Sequence, residues 1–280
     1  MMKEKKWNYI GSVGKHAVLI SFSILALFPI LVIVINSFKE RTAIFSNPYS
    51  IPNSDTFSLI GYETVLERSN FTLYYKNSLI IMLGALFLIL FFGTMAAYAI
   101  AEYKVKISNL LFVYFLIGII VPIRLGSVGI LEIMVNLHLT NTLTGLILIY
   151  TVAGLPLAIF ILTQFFRQIP VSLKEAARID GASEWKIYLM TLNYIKPAIA
   201  SVAAFSVAPI WNDIWWPLII APAEEVCTVT MGAQKFLGQF SNDWNALLSA
   251  LSMAMVPLVL LYLIFSKHIM RGLVDGAVKG

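Results

Sequence analysis

The stretch SLIIMLGALFLILFFGTMAAYAIA, residues 78–101, contains 24 consecutive residues without a charge. A hydrocarbon core about 30 Å thick is crossed by a helix of roughly 20 apolar residues, so this stretch predicts a transmembrane helix. A second uncharged run, residues 17–35, lies close to the N-terminus. It is longer than the roughly 7–15-residue core of a signal peptide, and we interpret it as a retained first span.

The composition of the whole chain agrees with a membrane protein. Of 280 residues, 59% are hydrophobic and only 12% are charged, and the mean hydropathy is +0.82. A soluble domain would be about 25% charged. Further apolar segments predict four more spans, of which the third is short and must borrow from Lys106–Asn109 or extend past Arg124. These segments are Leu110–Ile123, Leu143–Phe166, Ala198–Ile220 and Ala246–Ser266. The prediction is an all-α polytopic membrane protein with six transmembrane helices.

The distribution of Lys and Arg predicts the orientation of these spans, because cytoplasmic segments carry an excess of basic residues. With the N-terminus inside, 14 of the 20 basic residues fall on the cytoplasmic side. They are Lys3, Lys5, Lys6, Lys15, Lys104, Lys106, Arg167, Lys174, Arg178, Lys186, Lys196, Lys267, Arg271 and Lys279. The other 6 fall outside: Lys39, Arg41, Arg68, Lys76, Arg124 and Lys235. We therefore expect both termini to be cytoplasmic, and the net charge of +5 does not require a nucleic-acid partner.

One inner loop differs from the rest of the chain. Lys174–Leu189, KEAARIDGASEWKIYL, carries three acids and three bases in 16 residues. Ser172 and Glu175 have the S-x-x-E spacing of a capping box, which predicts a helix start. Gly181 can adopt positive φ and end that helix, and Ser183 can cap a second one. The pattern predicts two short helices joined by a glycine turn on the cytoplasmic surface.

Two interpretations of this loop are open. Amphipathic loops of this kind are commonly interfacial helices held among lipid headgroups. Such helices show large apolar residues flanked by Lys and Arg, whereas here Ala176 and Ala177 stand beside Glu175, Arg178 and Asp180. Small side chains among charges favour docking of another protein.

A second candidate site lies toward the outer end of the fifth predicted span, at Trp211, Asn212 and Asp213. Tryptophans at this depth are typical of the aromatic belt of membrane proteins. Alternatively, aromatic rings stack on sugars and Asn or Asp side chains bind hydroxyl groups, so the three residues are also a candidate substrate path. An acid close to the bilayer core is costly unless it faces a cavity or a partner. We therefore expect Asp213 either to take part in transport or to hold helices together. Arg124 is a further candidate for the substrate path.

Other kinds of site find little support in the sequence. There is no G-x-x-x-x-G-K-[ST] motif for nucleotide binding and no G-x-S-x-G nucleophile elbow. His16, His138 and His268 are far apart, which favours interfacial positions over a metal site. Cys227 is the single cysteine and excludes an intramolecular disulfide. We predict no catalytic residue and no metal site.

The motif EAARIDGAS at Glu175–Ser183 resembles the EAA signature of binding-protein-dependent ABC importer permeases. Other segments are similar to the carbohydrate branch, in particular to the second permease subunit of maltose-type transporters: Asn77-Ser78, AAYAIA at 96–101, Ile169-Pro170, WND at 211–213 and GLVDGAVKG at 272–280. The resemblance covers nearly the whole chain. One departure is Leu192-Asn193, where the family has a Leu-Pro pair, and we expect Lys196-Pro197 to take the helix-bending role.

The resemblance implies the type I ABC importer transmembrane fold and three segments. Residues 1–72 would hold the first span and an external loop, 73–268 the permease core with five spans and a coupling helix at 172–190, and 269–280 a cytoplasmic tail. The ATPase-docking residues would be Glu175, Ala176, Ala177, Arg178, Asp180 and Gly181.

The resemblance also implies the partners of the chain. They would be a different second permease, two ATPase subunits that bind ATP and Mg²⁺, an external solute-binding protein and a sugar. The chain itself would carry no cofactor and would lie in a bacterial cytoplasmic membrane.

The main alternative function is an ion-coupled secondary carrier with Asp213 as its ion site. It is disfavoured because the two halves of the chain show no visible repeat, and because charges within the spans are scarce. Within the importer class, a polyol, glycerol phosphate or an oligosaccharide fragment is an alternative substrate. An enzyme embedded in the membrane is a weaker possibility, since no catalytic constellation is visible.

Overall fold

The computed structural model describes residues 2–103, 105–238 and 243–277, and the side chains of those within 14–263. Over these ranges the named secondary structure elements are all helices, joined by turns and loops, and an isolated antiparallel bridge pairs Lys39 with Phe57. Helices α1 to α13 are Met2–Ser37, Arg41–Ser46, Ile60–Arg68, Phe71–Glu102, Lys106–Ile120, Ser127–Asn136, Leu143–Arg167, Val171–Ile179, Glu184–Tyr194, Lys196–Asn212, Trp215–Ile220, Val229–Gln234 and Trp244–Ala277. Short 3₁₀ helices cover Ile123–Gly126 and Glu224–Val226. The all-α prediction is confirmed.

Four helical segments in the described ranges are long and apolar enough to cross a bilayer as single spans. They are Gly14–Ser37, Phe71–Glu102, Leu143–Arg167 and Trp244–Leu263. Their lengths of 20 to 32 residues suit a hydrocarbon core about 30 Å thick at 1.5 Å per residue. Two bent helix pairs raise the number of spans to six if each pair crosses once.

The first bent pair corrects the third predicted span. Helix α5 begins at Lys106, so the short apolar run borrows residues on its N-terminal side, and it ends at Ile120. The chain then turns by 84° into Ile123–Asn136. Pro122 explains the break, because a proline has no amide to donate and pushes the preceding residue out of the helical region. Val121 is extended accordingly, with φ −73° and ψ 120°.

The fifth predicted span, Ala198–Ile220, is interrupted as well. Helix α10 ends at Asn212, Asp213 is extended with φ −73° and ψ 137°, and α11 starts at Trp215. At its other end α10 meets α9 at a bend of 73°. This bend falls immediately before Lys196-Pro197, as expected from the sequence, with the proline in the first turn where its missing amide costs little.

Two compact units divide the chain: Met1–Asn70 with Gly232–Met255, and Phe71–Met231 with Val256–Gly280. In the second unit, α4 and α7 pack closely through small residues. A Cβ at Gly154 would lie 2.5 Å from Cδ1 of Ile89, so the glycine permits this approach. Ala85 and Ala158 are fully buried. The core of this unit therefore holds the two long helices in direct contact.

The first unit is held by polar contacts at the end of α1. The Asn245 side-chain amide donates to the carbonyl of Lys39 at 2.6 Å, and the Ser249 hydroxyl donates to the carbonyl of Ser37 at 3.2 Å. Ser37 and Tyr62 join their hydroxyl groups at 2.7 Å. By contrast, the apolar side chains of α1 from Val18 to Leu31 are exposed. The tail predicted at 269–280 has no described side chains, and residues 278–280 lie outside the described residues.

Candidate functional site

The polar loop forms the predicted helix–turn–helix, but the first helix starts differently from the prediction. Pro170 is the N-cap of α8 and Val171 is its first residue, so Ser172 lies inside the first turn. No side chain caps this end. The capping box of Ser172 and Glu175 is therefore wrong, because Pro170 takes the N-cap position two residues before Ser172. The carboxylate of Glu175 remains free to face solvent, and Glu175 is exposed.

The turn between the two helices has the geometry expected from the sequence. Gly181 adopts φ +75°. Its amide donates to the carbonyl of Arg178 at 3.0 Å, and the amide of Ala182 donates to the carbonyl of Ala177 at 2.9 Å. This is the Schellman arrangement, which satisfies carbonyls at a helix end. The Ser183 hydroxyl then accepts the Lys186 amide at 3.4 Å and caps α9, as predicted.

One face of α8 is open to solvent. Glu175, Ala176, Asp180 and Gly181 are exposed and Ala177 is half-buried. Ile179, on the same face, is 86% exposed. This face therefore presents small and acidic side chains together with one exposed isoleucine.

Arg178 lies on the other side of α8 and contacts its own chain. Its Nη2 donates to Oε1 of Glu102 at 2.6 Å, and its Nε donates to Oε1 of Glu184 at 2.8 Å. Lys174, which is buried, donates to the second oxygen of Glu102. Hydrogen bonds to Glu184 and Glu102 raise the pKa of Arg178 above its ordinary value. This cluster of four charges joins the end of α4 to α8 and α9.

Sequence reasoning missed Glu102 and Lys174, whose side chains are 10% and 8% exposed. The sequence did contain a signal for Glu102, because an acid that directly follows the uncharged run 78–101 lies at the end of a span and calls for a cationic partner. Its partners are 72 and 76 residues away along the chain, so their identity depends on how the helices pack.

The second candidate site is built around Asp213, whose side chain is 6% exposed. Its Oδ1 accepts from Nη2 of Arg124 at 3.1 Å. Its Oδ2 accepts from the Tyr150 hydroxyl at 3.0 Å and from the backbone amide of Trp216 at 2.9 Å. The carboxylate thus joins the break between α10 and α11 to the 3₁₀ helix that follows α5 and to α7.

A cavity of about 240 Å³ opens beside this cluster. Its polar lining includes Arg124, Tyr150, Ser206 and Asp213, and most of the remaining lining is apolar. The Arg124 side chain is 62% exposed, and its guanidinium lies 5.8 Å from the ring centre of Trp215. The cavity therefore combines a cation, a carboxylate and hydroxyl groups on an apolar wall.

The structure separates the three residues predicted for the substrate path. Asp213 lines the cavity. Trp211 is 2% exposed, with its ring centre 6.2 Å from that of Tyr75, whereas Asn212 is exposed. Sequence reasoning overlooked Tyr150, because a tyrosine within an apolar helix carries no local sign of its acidic partner.

Asn77 and Ser78 connect the start of α4 to the segment that follows α11. The Asn77 amide donates to the carbonyls of Glu225 at 2.9 Å and Cys227 at 3.0 Å. The Ser78 hydroxyl accepts the amide of Val229 at 2.9 Å.

Across the described residues, no three His, Cys, Asp or Glu side chains come together as metal ligands would.

The family of the chain follows from comparison with known proteins. The model of the binding-protein-dependent transport system inner membrane component family matches residues 89–275, about two thirds of the chain. The chain belongs to this family. The permease is therefore a transport subunit and a multi-pass protein of the inner membrane, and the ion-coupled carrier alternative is not supported.

Individual relatives match the permease over most of its length. The diacetylchitobiose uptake system permease protein NgcG of Streptomyces coelicolor is 31% identical over 267 residues, 94% of this chain and 88% of the relative. The arabinooligosaccharides transport system permease protein AraQ of Halalkalibacterium halodurans is 31% identical over 259 residues, 91% and 92% of the two chains.

A solved structure supports the fold. A chain of a bacterial ABC transporter involved in the import of the acidic polysaccharide alginate superposes on 92% of the permease, with a TM-score of 0.80 and 20% identity. The superposition covers 96% of that chain. The type I ABC importer fold predicted for the permease is confirmed.

Proposed function

We propose that the permease imports oligosaccharides in an ATP-driven assembly and that α8 receives the ATPase. The exposed face of α8, closed by the Gly181 turn, is the observation that carries this proposal. The sugar class is supported by the relatives, whose names specify diacetylchitobiose and arabinooligosaccharides. ATP and Mg²⁺ bind to the ATPase partner, and the permease itself carries no cofactor.

Each exposed residue of α8 has a part in the proposed docking. Glu175 accepts a charge-assisted hydrogen bond from a basic residue of the ATPase, the stronger class of such bonds. Ala176, Ala177 and Gly181 let the partner backbone approach closely, and Asp180 adds a second negative charge. Arg178 contributes indirectly, since its guanidinium is already held by Glu102 and Glu184.

The proposed orientation places α8 and α9 in the cytoplasm together with both termini. It is supported by the distribution of the 20 Lys and Arg residues in the sequence, 14 of which fall on the inner side. The ATPase subunits are cytoplasmic in this arrangement, and the solute-binding protein meets the opposite side of the membrane.

A different second permease completes the proposed membrane assembly. Support comes from α1, whose apolar side chains from Val18 to Leu31 are exposed although the helix is long enough to span the bilayer. Lipid covers part of such a helix, and packing against the second permease covers the rest.

The proposed sugar path passes the cavity at Asp213. Sugars offer hydroxyl donors and acceptors on a partly apolar ring, and the cavity offers Arg124, Tyr150 and Asp213 on an apolar wall. Trp211 and Asn212 stay predictions for this path. Trp211 is buried and Asn212 presents an exposed amide.

The docking proposal is tested by substituting Glu175→Lys in the complete transporter and measuring ATPase co-purification and ATP-dependent sugar uptake in proteoliposomes. We expect both to fall about tenfold or more, as for loss of a charge-assisted contact at an interface. Glu67→Lys is the matched control, because Glu67 is an exposed acid of α3 on the predicted outer side. Unchanged co-purification and uptake in Glu175→Lys would refute docking through this face.

A further inference from the structure

The cluster at the end of α4 differs from an ordinary surface ion pair. The Glu102 side chain is 10% exposed and that of Lys174 is 8% exposed. Each carboxylate oxygen of Glu102 accepts from a different cation of α8: Oε1 from Arg178 and Oε2 from Lys174. A buried ion pair of this kind is costly to break on one side only, because the other charge stays buried.

The two cations define one face of α8. Lys174 and Arg178 are four residues apart, and residues at this spacing lie on the same side of a helix. At 100° per residue, Ala176 and Ile179 lie about 180° and about 120° around the axis from the midpoint between the two cations, Glu175 lies at the edge about 80° from it, and all three residues are exposed. Helix α8 therefore presents its ionic face to α4 and its docking face to solvent.

Arg178 extends the connection to α9. Its guanidinium bridges Glu102 and Glu184, which is in the first turn of α9. Glu184 also accepts from the Tyr98 hydroxyl of α4 at 3.3 Å. Further along α9, the hydroxyl groups of Tyr188 and Thr94 are 2.8 Å apart, and Tyr188 is buried. These side chains join α4, α8 and α9 across the Gly181 turn.

We propose that Glu102 is a positioning residue that transmits movement of α8 to the transmembrane helix α4. The proposal rests on the docking of an ATPase at α8. A helix that ends in a glycine turn can swing when its partner moves. The bonds of Glu102 to Lys174 and Arg178 make α4 move together with α8. Movement of the ATPase is thereby transmitted to a transmembrane helix.

Charge reversal tests this role in the complete transporter. In Glu102→Lys, the cations at positions 102, 174 and 178 repel one another, whereas the docking face is unchanged. We expect ATPase co-purification to stay near native and the sugar transported per ATP hydrolysed to fall about tenfold, within the usual range of coupling energies. Glu102→Gln, a milder change of the same residue, should give a smaller fall in the same quantity.

The double variant Glu102→Lys with Lys174→Glu restores the ion pair between positions 102 and 174 with the charges exchanged, while Arg178 keeps Glu184 as its acid. We expect it to recover part of the transport per ATP, a rescue that a merely bulky or misfolded side chain would not show. Uncoupling that persists in the double variant, loss of ATPase co-purification in Glu102→Lys, or normal coupling in both Glu102 variants would each overturn the proposal. Failure of docking itself is detected separately by Glu175→Lys.

Discussion

Two carboxylates organise the second unit of the permease, and they do so in different surroundings. Glu102 ends an intact helix and holds two cations of α8, one of them buried. Asp213 lies in a helix break and accepts from a cation, a tyrosine and a backbone amide. The first connects helices by side chains alone. Asp213, in contrast, also accepts a backbone amide at the break between α10 and α11, where the helical hydrogen bonds are interrupted. We therefore expect substitutions of Asp213 to be tolerated less well than those of Glu102.

The largest effect is expected for Asp213→Ala. The substitution leaves the Tyr150 hydroxyl and the Trp216 amide without their acceptor, and each such buried donor costs about 1–3 kcal/mol. We expect thermal unfolding in detergent at a clearly lower temperature and loss of transport. Asp213→Asn is the matched control, since its carbonyl oxygen can still accept one of these bonds. Equal thermal stability of Asp213→Ala and the native permease would show that Asp213 does not stabilise the helix break.

Gly181→Ala tests the turn that separates the docking helix from α9. The left-handed conformation at φ +75° costs a residue with a Cβ roughly 1–2 kcal/mol. We expect weaker co-purification of the ATPase, measured together with thermal stability. Gly129→Ala is the control, because a Cβ at either glycine meets open space and only Gly181 has positive φ. Similar behaviour of the two variants would argue against a role of the backbone conformation.

Arg124→Met distinguishes a structural from a transport role of the cavity. The arginine side chain is 62% exposed, and the buried Asp213 keeps its bonds from Tyr150 and the Trp216 amide, so we expect a loss of stability of about 1 kcal/mol, which thermal unfolding measures. If the sugar passes here, the apparent affinity for transported sugar falls about tenfold, as for one hydrogen bond from a charged group. Initial uptake rates over a range of sugar concentrations give this value. Native-like uptake would exclude the cation from the sugar path.

The smallest effect is expected for Ser183→Ala. Its hydroxyl caps α9 through a long bond of 3.4 Å to the Lys186 amide, so the loss should be about 0.5 kcal/mol, at the low end for helix caps. Ser172→Ala should be neutral, because Ser172 lies within the first turn of α8 and caps nothing. Thermal unfolding of both variants compares them directly. A larger loss of stability in Ser172→Ala than in Ser183→Ala would show that Ser172 caps α8.

Local patterns were read correctly where one stretch of chain decides the outcome. The uncharged run 78–101 lies within α4, Gly181 has positive φ, and the bend before Lys196-Pro197 is present. The predicted start of α8 was wrong by two residues, because Pro170 takes the N-cap position and Ser172 lies in the first turn. The docking residues and the substrate path remain predictions.

The sequence by itself determined that this protein crosses a membrane and carries a polar helix–turn–helix, since hydropathy and turn chemistry act over a few neighbouring residues. Only the tertiary structure decided which charges meet. Glu102 finds Lys174 and Arg178 across 72 and 76 residues, and Asp213 finds Arg124 and Tyr150 across 89 and 63. Such pairs depend on where packed helices end and break, because a buried charge is stable only where the fold supplies its partner.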